Sequence, residues 1–395
     1  MKNASTLSGS ILLVAGSCIG AGMLALPILT GLSGFFPSLS MLLLAWGFMT
    51  FTGLLLIEIN GRFKTQVNLV TMAKESLGRK GELAAWISYL FLFYSLLVAY
   101  TAASGTIFSA ILDSLFGLLL PPPAASLFFT VLFGYIIYLG TRPVDLFNRF
   151  LMAGLILSYL GMILFGLTCI DPQLLLHSAP EMALLSLPVL VVSFGFQNMI
   201  PSLTAYLHGE LKKVRLAILG GSLLTLLIYL IWSLLVLGIV EPSAIEQSYA
   251  NGEEATIPLA AALGASAISR FAQSFALFAI ITSFLAQGLT LAHFLADGLK
   301  KQPTRKNLAW LTPLALAPPL FLSLYNPHIF FRALSFAGGV CAMILFGLLP
   351  IAMAWVGRYI RKHPSHYHAP GGKIALLAAL LFTLLVIGCE ISRFF

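Results

Sequence analysis

Charge is scarce in this chain: only 9% of its 395 residues are Asp, Glu, Lys or Arg, against about 25% in soluble globular domains. That excludes a water-soluble globule. There is no H-E-x-x-H, no acidic metal pair and no nucleophile elbow, so the groups a membrane enzyme must gather on one face are missing. Cysteine is rare too. Cys18, Cys169, Cys341 and Cys389 sit in apolar segments without metal-like spacing and read as small buried side chains, not disulfides or ligands. The histidines of "HPSHYH" (His363, His366 and His368) lie beside Arg361 and Lys362, whose charge repels a metal cation. A cleavable leader is not expected either. Lys2 is the only charge ahead of the first apolar stretch, which outruns the apolar region of a signal peptide.

What is abundant is apolar surface: 59% of residues are hydrophobic and the mean hydropathy is +0.97. Runs of membrane-spanning length, about 20 residues, recur along the whole chain. They fall at 8–31, 38–59, 84–111, 125–140, 149–170, 184–207, 215–240, 270–296, 308–325, 332–357 and 374–393. None alternates as a barrel strand does, so eleven transmembrane helices are expected.

The basic residues orient them. Lys2, Arg62, Lys64, Lys74, Arg79, Lys80, Arg142, Arg149, Lys212, Lys213, Arg215, Lys300, Lys301, Arg305, Lys306, Arg358, Arg361, Lys362 and Lys373 fall on one side. Only Arg270, Arg332 and Arg393 fall on the other. Positive residues collect on the cytoplasmic side, which places the N-terminus inside and the C-terminus outside. The net charge of +8 is therefore topology, not a nucleic-acid footprint. The external loop 241–269 is the longest, and "NLVTMAKESLG" in the internal loop 60–82 suits a short interfacial helix. No soluble domain is evident.

Two spans are weakened at mid-membrane. Residues 16–27 read "GSCIGAGMLALP", with three glycines in the first seven positions and a closing proline. The sixth span, "LSLPVLVVSFGFQNMIPSLTAYL", is interrupted by Ser193, Gly195, Gln197 and Asn198 between Pro188 and Pro201. For the first span alone, Gly16-x-x-x-Gly20 also fits plain helix–helix packing. The second break, however, opens the next set of five helices, and five crossings reverse the sense of the set. Matching discontinuous helices in inverted halves are the arrangement of a secondary transporter, with its site at the break.

"GSCIGAGMLALP" followed by "SFGFQNMIPSL" resembles the bacterial aromatic amino acid permeases, the tyrosine- and tryptophan-specific transporters of the amino acid–polyamine–cation superfamily. The resemblance runs over essentially the whole chain. It implies one transport domain over 1–395 with an all-α, leucine-transporter-like fold. Five helices (8–170) and five inverted helices (184–357) are then followed by one additional helix (374–393). It also implies import of tyrosine, tryptophan or phenylalanine across a bacterial inner membrane by cation symport.

Carried onto this chain, the resemblance directs the amides around Ala21 and Gly22 to the substrate carboxylate, in one unwound stretch with Ile19 and Gly20. The carbonyl of Cys18 faces the ammonium, with the carbonyls of Val191 and Val192 and the hydroxyl of Ser193. Phe196 falls at an aromatic lid, and Phe194, Gln197 and Asn198 at the side-chain pocket; ordinary packing is the alternative for the two phenylalanines. In the third span Tyr100 is favoured over Tyr94 as the tyrosine that closes the site, the alternative being a hydroxyl tied to a neighbouring helix.

For the coupling ion, the carbonyls of Gly16, Ile19 and Ala279 with the hydroxyls of Thr282 and Ser283 form a candidate cation site. A Ser/Thr pair bonded back to its own helix is the alternative. Proton coupling is what the resemblance implies, with sodium kept open by that hydroxyl pair. Glu58 and His293 are the titratable candidates, and no lysine occurs in the fifth span between Phe150 and Ile170. No cofactor, resident metal, nucleic acid or obligate protein partner is expected; the bilayer and an aromatic amino acid are the partners. A channel would want a ring of charge or carbonyls in a symmetric oligomer, and nothing in the sequence indicates one.

Overall fold

In lipid, a chain segment must close its hydrogen bonds within itself, and helices do so. The computed structural model describes residues 2–63, 67–118, 120–264, 266–362 and 367–393, and among them every regular element is helical. Ten helices are long and apolar enough to cross a bilayer. An eleventh span is a bent pair, Leu7–Cys18 and Gly22–Gly31, whose halves turn by 62°. Lys64, His363 and His366 lie outside the described residues.

The remaining spans are Phe35–Asn60 (span 2), Leu69–Phe116 (span 3), Pro122–Leu139 (span 4), Thr141–Gly166 (span 5) and Leu211–Leu237 (span 7). Span 6 comprises Leu187–Ser193 and Ile200–Tyr206, joined by a tight turn at Phe196–Met199. Ala267–Gly298 (span 8), Arg305–Tyr325 (span 9), Phe330–Ile360 (span 10) and Gly372–Ser392 (span 11) complete the set. Span 3 absorbs the expected interfacial helix: residues 69–77 form it, and Gly78 turns the chain at φ 73°, a backbone that glycine adopts without a Cβ penalty.

Span 5 corrects the sequence reading, because it begins at Thr141 and not at 149. Its charged first turns are helical all the same, with Asp145 and Arg149 paired at 2.9 Å one turn apart on the exposed side. Cysteine is corrected as well. Cys18 and Cys341 are buried, whereas Cys169 is exposed and Cys389 partly so.

Loop contacts sort the two faces as the charges do. On the basic face, Glu58 accepts from Arg62 (3.1 Å), from Arg358 Nε (2.9 Å) and from the Ala369 amide (2.9 Å). Arg361 donates to the Glu75 carbonyl, and the Arg215 guanidinium lies 4.4 Å from the centre of the Tyr367 ring. The connections after spans 2, 6 and 10 therefore meet there. On the opposite face, Ala179 N–H reaches Ser33 O and Asp171 N–H reaches Gly238 O, joining the connections after spans 1, 5 and 7. The interior is organised around the two broken helices. Span 7 lies along span 1, span 8 along span 5, and spans 3 and 10 close the other sides.

The connection between spans 7 and 8 is itself helical, over Pro242–Asn251 and Thr256–Leu263. Its bend docks on span 1, where Ala255 N–H donates to Leu24 O at 3.0 Å. Glu254 beside it is only 1% exposed. It accepts from the Thr256 amide at 2.7 Å and the Thr256 hydroxyl at 2.5 Å. Burial pushes the Glu254 carboxyl up to about 7, against the pull of the Thr256 hydrogen bonds and with a further push from Glu253. A carboxyl with a raised pKa in the docked state favours docking while protonated. That contribution is complete below the ordinary value of 4.5 and is lost as pH rises through about 7. Hydrogen exchange of this bend is expected to speed up between pH 5 and 8 beyond its intrinsic pH dependence. Glu254→Gln should flatten that excess; the same excess in the variant would acquit Glu254.

Candidate functional site

Each glycine in a helix interior costs about 1 kcal/mol relative to alanine, and the first break falls where three of them cluster. The helix ends at Cys18 and restarts at Gly22. Ala21 N–H, which a continuous helix would give to Ser17 O, goes instead to Ser283 Oγ of span 8 at 2.9 Å. Close approach explains two of the glycines. A Cβ at Gly20 would stand 2.7 Å from Ser283 Oγ, and one at Gly22 would stand 3.2 Å from Ser193 Oγ of span 6.

The second break begins where Gly195 N–H turns back to Val192 O at 3.1 Å and Phe196 N–H to Phe194 O at 2.9 Å, a turn too tight to continue a helix. One side chain bridges both breaks. The Tyr229 hydroxyl, on span 7, lies 2.7 Å from Cys18 O and 2.8 Å from Ser193 O. Three residues on, Trp232 Nε1 donates to Met23 O at 2.9 Å. Pro27 has no N–H to give Met23 O, so span 7 holds carbonyls left free at both breaks and at this proline.

Between the breaks lies a cavity of about 300 Å³, at the lower end of small-molecule sites, about 300–1,000 Å³. Of the expected substrate residues, Cys18, Ile19, Gly20, Ala21, Gly22, Tyr100, Val192, Ser193 and Asn198 line it, as do Gly16, Thr282 and Ser283 from the coupling set. The others turn elsewhere. Phe194 packs edge-on against Tyr229 at 5.1 Å, and Phe196 fills the space over Gly53, whose Cβ would come within 2.8 Å of its ring. Gln197 donates to Met49 O at 3.1 Å and Thr52 Oγ1 at 3.3 Å. Val191 and Ala279 are buried outside the lining. Tyr94, the tyrosine not favoured, has its hydroxyl tied to a neighbouring helix, donating to Leu314 O of span 9 at 3.0 Å.

Thr282 also follows its alternative, donating back to Phe278 O and Ala279 O, while Ser283 holds the Ala21 amide. Glu58 is off the cavity altogether, fully buried in the arginine cluster of the basic face. His293 lines a second cavity nearer that face. His368, read only as part of a histidine-rich loop, lies 3.2 Å from Glu58.

Several lining residues were not foreseen. Asn148 and Met152 enter from span 5, Leu92, Phe93 and Leu96 from span 3, Gln287 from span 8 and Phe346 from span 10. Three polar side-chain atoms on this wall are buried without a hydrogen-bond partner: Ser193 Oγ, Asn148 Oδ1 and Gln287 Oε1. Buried polar atoms are normally paired, so each of these three oxygens keeps capacity for a further hydrogen bond. The rest of the wall mixes the main chain of the breaks and the hydroxyls of Thr282 and Ser283 with the aliphatic and aromatic side chains of Leu92, Phe93, Leu96, Met152 and Phe346. Tyr229→Phe deprives two buried carbonyls of their shared donor, at about 1–3 kcal/mol. We expect a lower melting temperature of the purified protein together with lost uptake; an unchanged melting temperature would show that the hydroxyl does not hold the breaks.

The profile of the Tryptophan/tyrosine permease family matches residues 2–390. Tyrosine-specific transport system 1 of Haemophilus influenzae is 33% identical, over 96% of this chain and 94% of the relative. The tryptophan-specific transport protein of the same organism is 29% identical over 99% and 97%. The low affinity tryptophan permease of Escherichia coli is 27% identical over 98% and 95%. These relatives are named as transport proteins or permeases, not as enzymes. Among solved structures, that of MhsT in complex with L-phenylalanine superposes with a TM-score of 0.67, at 14% identity and 98% coverage of both chains, and shows the shared leucine-transporter-like fold. This multi-pass inner-membrane protein belongs to the tryptophan/tyrosine permease family.

Proposed function

We propose that the chain imports tyrosine or tryptophan, with phenylalanine as a further substrate, by proton symport and alternating access around spans 1 and 6. The observation that carries the reading is a cavity between two helix breaks whose lining residues Ser193, Asn148 and Gln287 each keep a polar side-chain atom without a hydrogen-bond partner beside apolar Leu92, Leu96, Met152 and Phe346. The substrate carboxylate meets the amides of Gly20 and Gly22 at the start of the half-helix Gly22–Gly31, the positive end of its dipole. The ammonium meets Ser193 Oγ and the carbonyl of Cys18. The ring lies among Leu92, Leu96, Tyr100, Met152 and Phe346. The amide oxygens of Asn148 and Gln287 accept the phenol or indole hydrogen, in the side-chain pocket where the resemblance put Gln197 and Asn198. The names of the relatives, tyrosine- and tryptophan-specific, support the same substrate class.

Sodium is the second reading for the coupling ion, favoured by the meeting of Gly16, Ile19, Thr282 and Ser283 on the cavity wall, since carbonyl and hydroxyl oxygens suit a hard cation. The basic loops of the face carrying Glu58 support a cytoplasmic placement of that face and of the N-terminus.

Uptake of labelled tyrosine, tryptophan and phenylalanine into proteoliposomes, with proton and sodium gradients imposed separately, tests this. Accumulation on an inward proton gradient alone is expected. Accumulation on sodium alone would transfer the coupling to that ion, and failure of all aromatic amino acids to exchange would end the substrate assignment. Ser193→Ala is expected to raise KM about tenfold or more, the effect of losing a hydrogen bond to a charged group, about 1.5–3 kcal/mol, with membrane levels unchanged. Normal uptake by that variant would remove Ser193 from the site.

A further inference from the structure

The central cavity has a larger neighbour. A chamber of about 540 Å³ lies toward the basic face, walled by the end of span 2, the start of span 3, the second half of span 6 and the end of span 8. Phe93 and Asn198 line both cavities. Asn198 accepts a short hydrogen bond from the Tyr89 hydroxyl, so these three side chains form the partition between them.

The chamber's chemistry is unlike that of a plain water-filled exit. Three aromatic rings border it. Tyr89 stacks on Phe93 at 5.5 Å, Phe93 meets Phe294 edge-on at 5.6 Å, and Tyr89 and Phe294 are 6.0 Å apart. Trp86 stacks behind Phe294 at 5.4 Å and fixes its plane. Beside the rings, span 8 presents Thr290, His293 and Asp297 at helical spacing. The His293 ring makes no hydrogen bond among the described residues, and Asp297 is exposed. A ring-binding wall with one carboxylate and one imidazole next to it is complementary to a zwitterion that carries an aromatic side chain. The ammonium faces Asp297, the carboxylate faces His293, and the ring lies on Phe93 and Phe294; the Thr290 hydroxyl is engaged by Ala286 O at 2.7 Å. Aromatic contacts of this offset and edge-on kind favour a further ring over an aliphatic chain.

We propose that this chamber is a second, weaker binding site for the aromatic amino acid, occupied after the molecule leaves the central cavity and before it reaches the cytoplasm. The inference rests on the reading of the central cavity given above. Two molecules then bind per chain, with the Tyr89–Asn198 partition between them.

Equilibrium binding of labelled tryptophan, and separately of labelled tyrosine, to the purified full chain tests it. Two molecules per chain and a biphasic isotherm are expected. Phe294→Leu with Asp297→Asn should weaken the low-affinity phase at least tenfold and leave the tight phase within about twofold. Ser193→Ala should do the reverse. His293→Gln, which alters the chamber from another side, serves if the double variant does not reach the membrane. One molecule per chain in the unaltered protein, with normal exchange in proteoliposomes, overturns the chamber alone. So does a weak phase that follows Ser193→Ala and ignores the chamber variants. If no aromatic amino acid binds or exchanges, the central assignment fails and the chamber falls with it.

Discussion

A main-chain amide or carbonyl freed from a helix at mid-bilayer has no water to turn to, and leaving it unpaired costs several kcal/mol. The protein frees such groups twice and answers with side chains from spans that are themselves unbroken. Ser283 takes the Ala21 amide and Tyr229 lies between the carbonyls of Cys18 and Ser193, while Trp232 takes the carbonyl of Met23, which Pro27 leaves without an N–H partner. Spans 7 and 8 are thus set by the needs of spans 1 and 6, and the glycines at 20 and 22 are the places where those neighbours come too near for a side chain. The cavity is what remains when these partners are in place.

The same constraint separates the buried charges from the site. Glu58 is fully buried, yet it faces two guanidiniums, a main-chain amide and His368 at the basic face. Both oxygens of this carboxylate are engaged, and removing one partner of such a buried pair is costly. Its effect is to tie span 2 to span 10 and to the segment entering span 11. A group that carries a proton through a transport cycle must lose and regain it within reach of the cavity, and the surroundings of Glu58 suit it to fastening loops instead. His293 makes no hydrogen bond among the described residues and lies on the wall of the inner chamber.

How much of this was legible follows from what a sequence encodes. Span number, the two interruptions and the sorting of loops between faces rest on local composition, and all were readable. The rotational phase of a broken helix is not local. Ser193 and Asn198 reach the central cavity, whereas Phe194 and Phe196 between them point into packing against Tyr229 and Gly53. That outcome depends on the turn geometry at Gly195, which composition does not reveal. Asn148 was missed for a different reason. The charges of Arg142, Asp145 and Arg149 read as loop, so a residue two turns inside span 5 was counted as outside the membrane. An i, i+4 pattern of Asp145 and Arg149 was the available signal. Gln287 lies on span 8 one turn beyond the candidate pair Thr282 and Ser283, and all three line the cavity.

Tyr229 leads to a view of why a zwitterion belongs here. A phenol has one hydrogen, yet its oxygen stands within hydrogen-bond distance of two carbonyls, one from each break. The breaks therefore hold more acceptors than the surrounding side chains can serve, and Asn148 Oδ1 and Gln287 Oε1 add two more on the same wall. An incoming ammonium brings three N–H donors, and a phenol or indole brings a fourth. In the proposed cycle the substrate supplies the donors that the protein is short of, while the unpaired amides of the restarted helix receive its carboxylate. Binding then stabilises both interrupted spans in one arrangement, as a common ligand of two half-sites must if the inverted halves are to move as units. A neutral aromatic molecule without the amino group would fill the same apolar wall and leave the acceptors unserved, which is how a site with few polar atoms discriminates strongly against it.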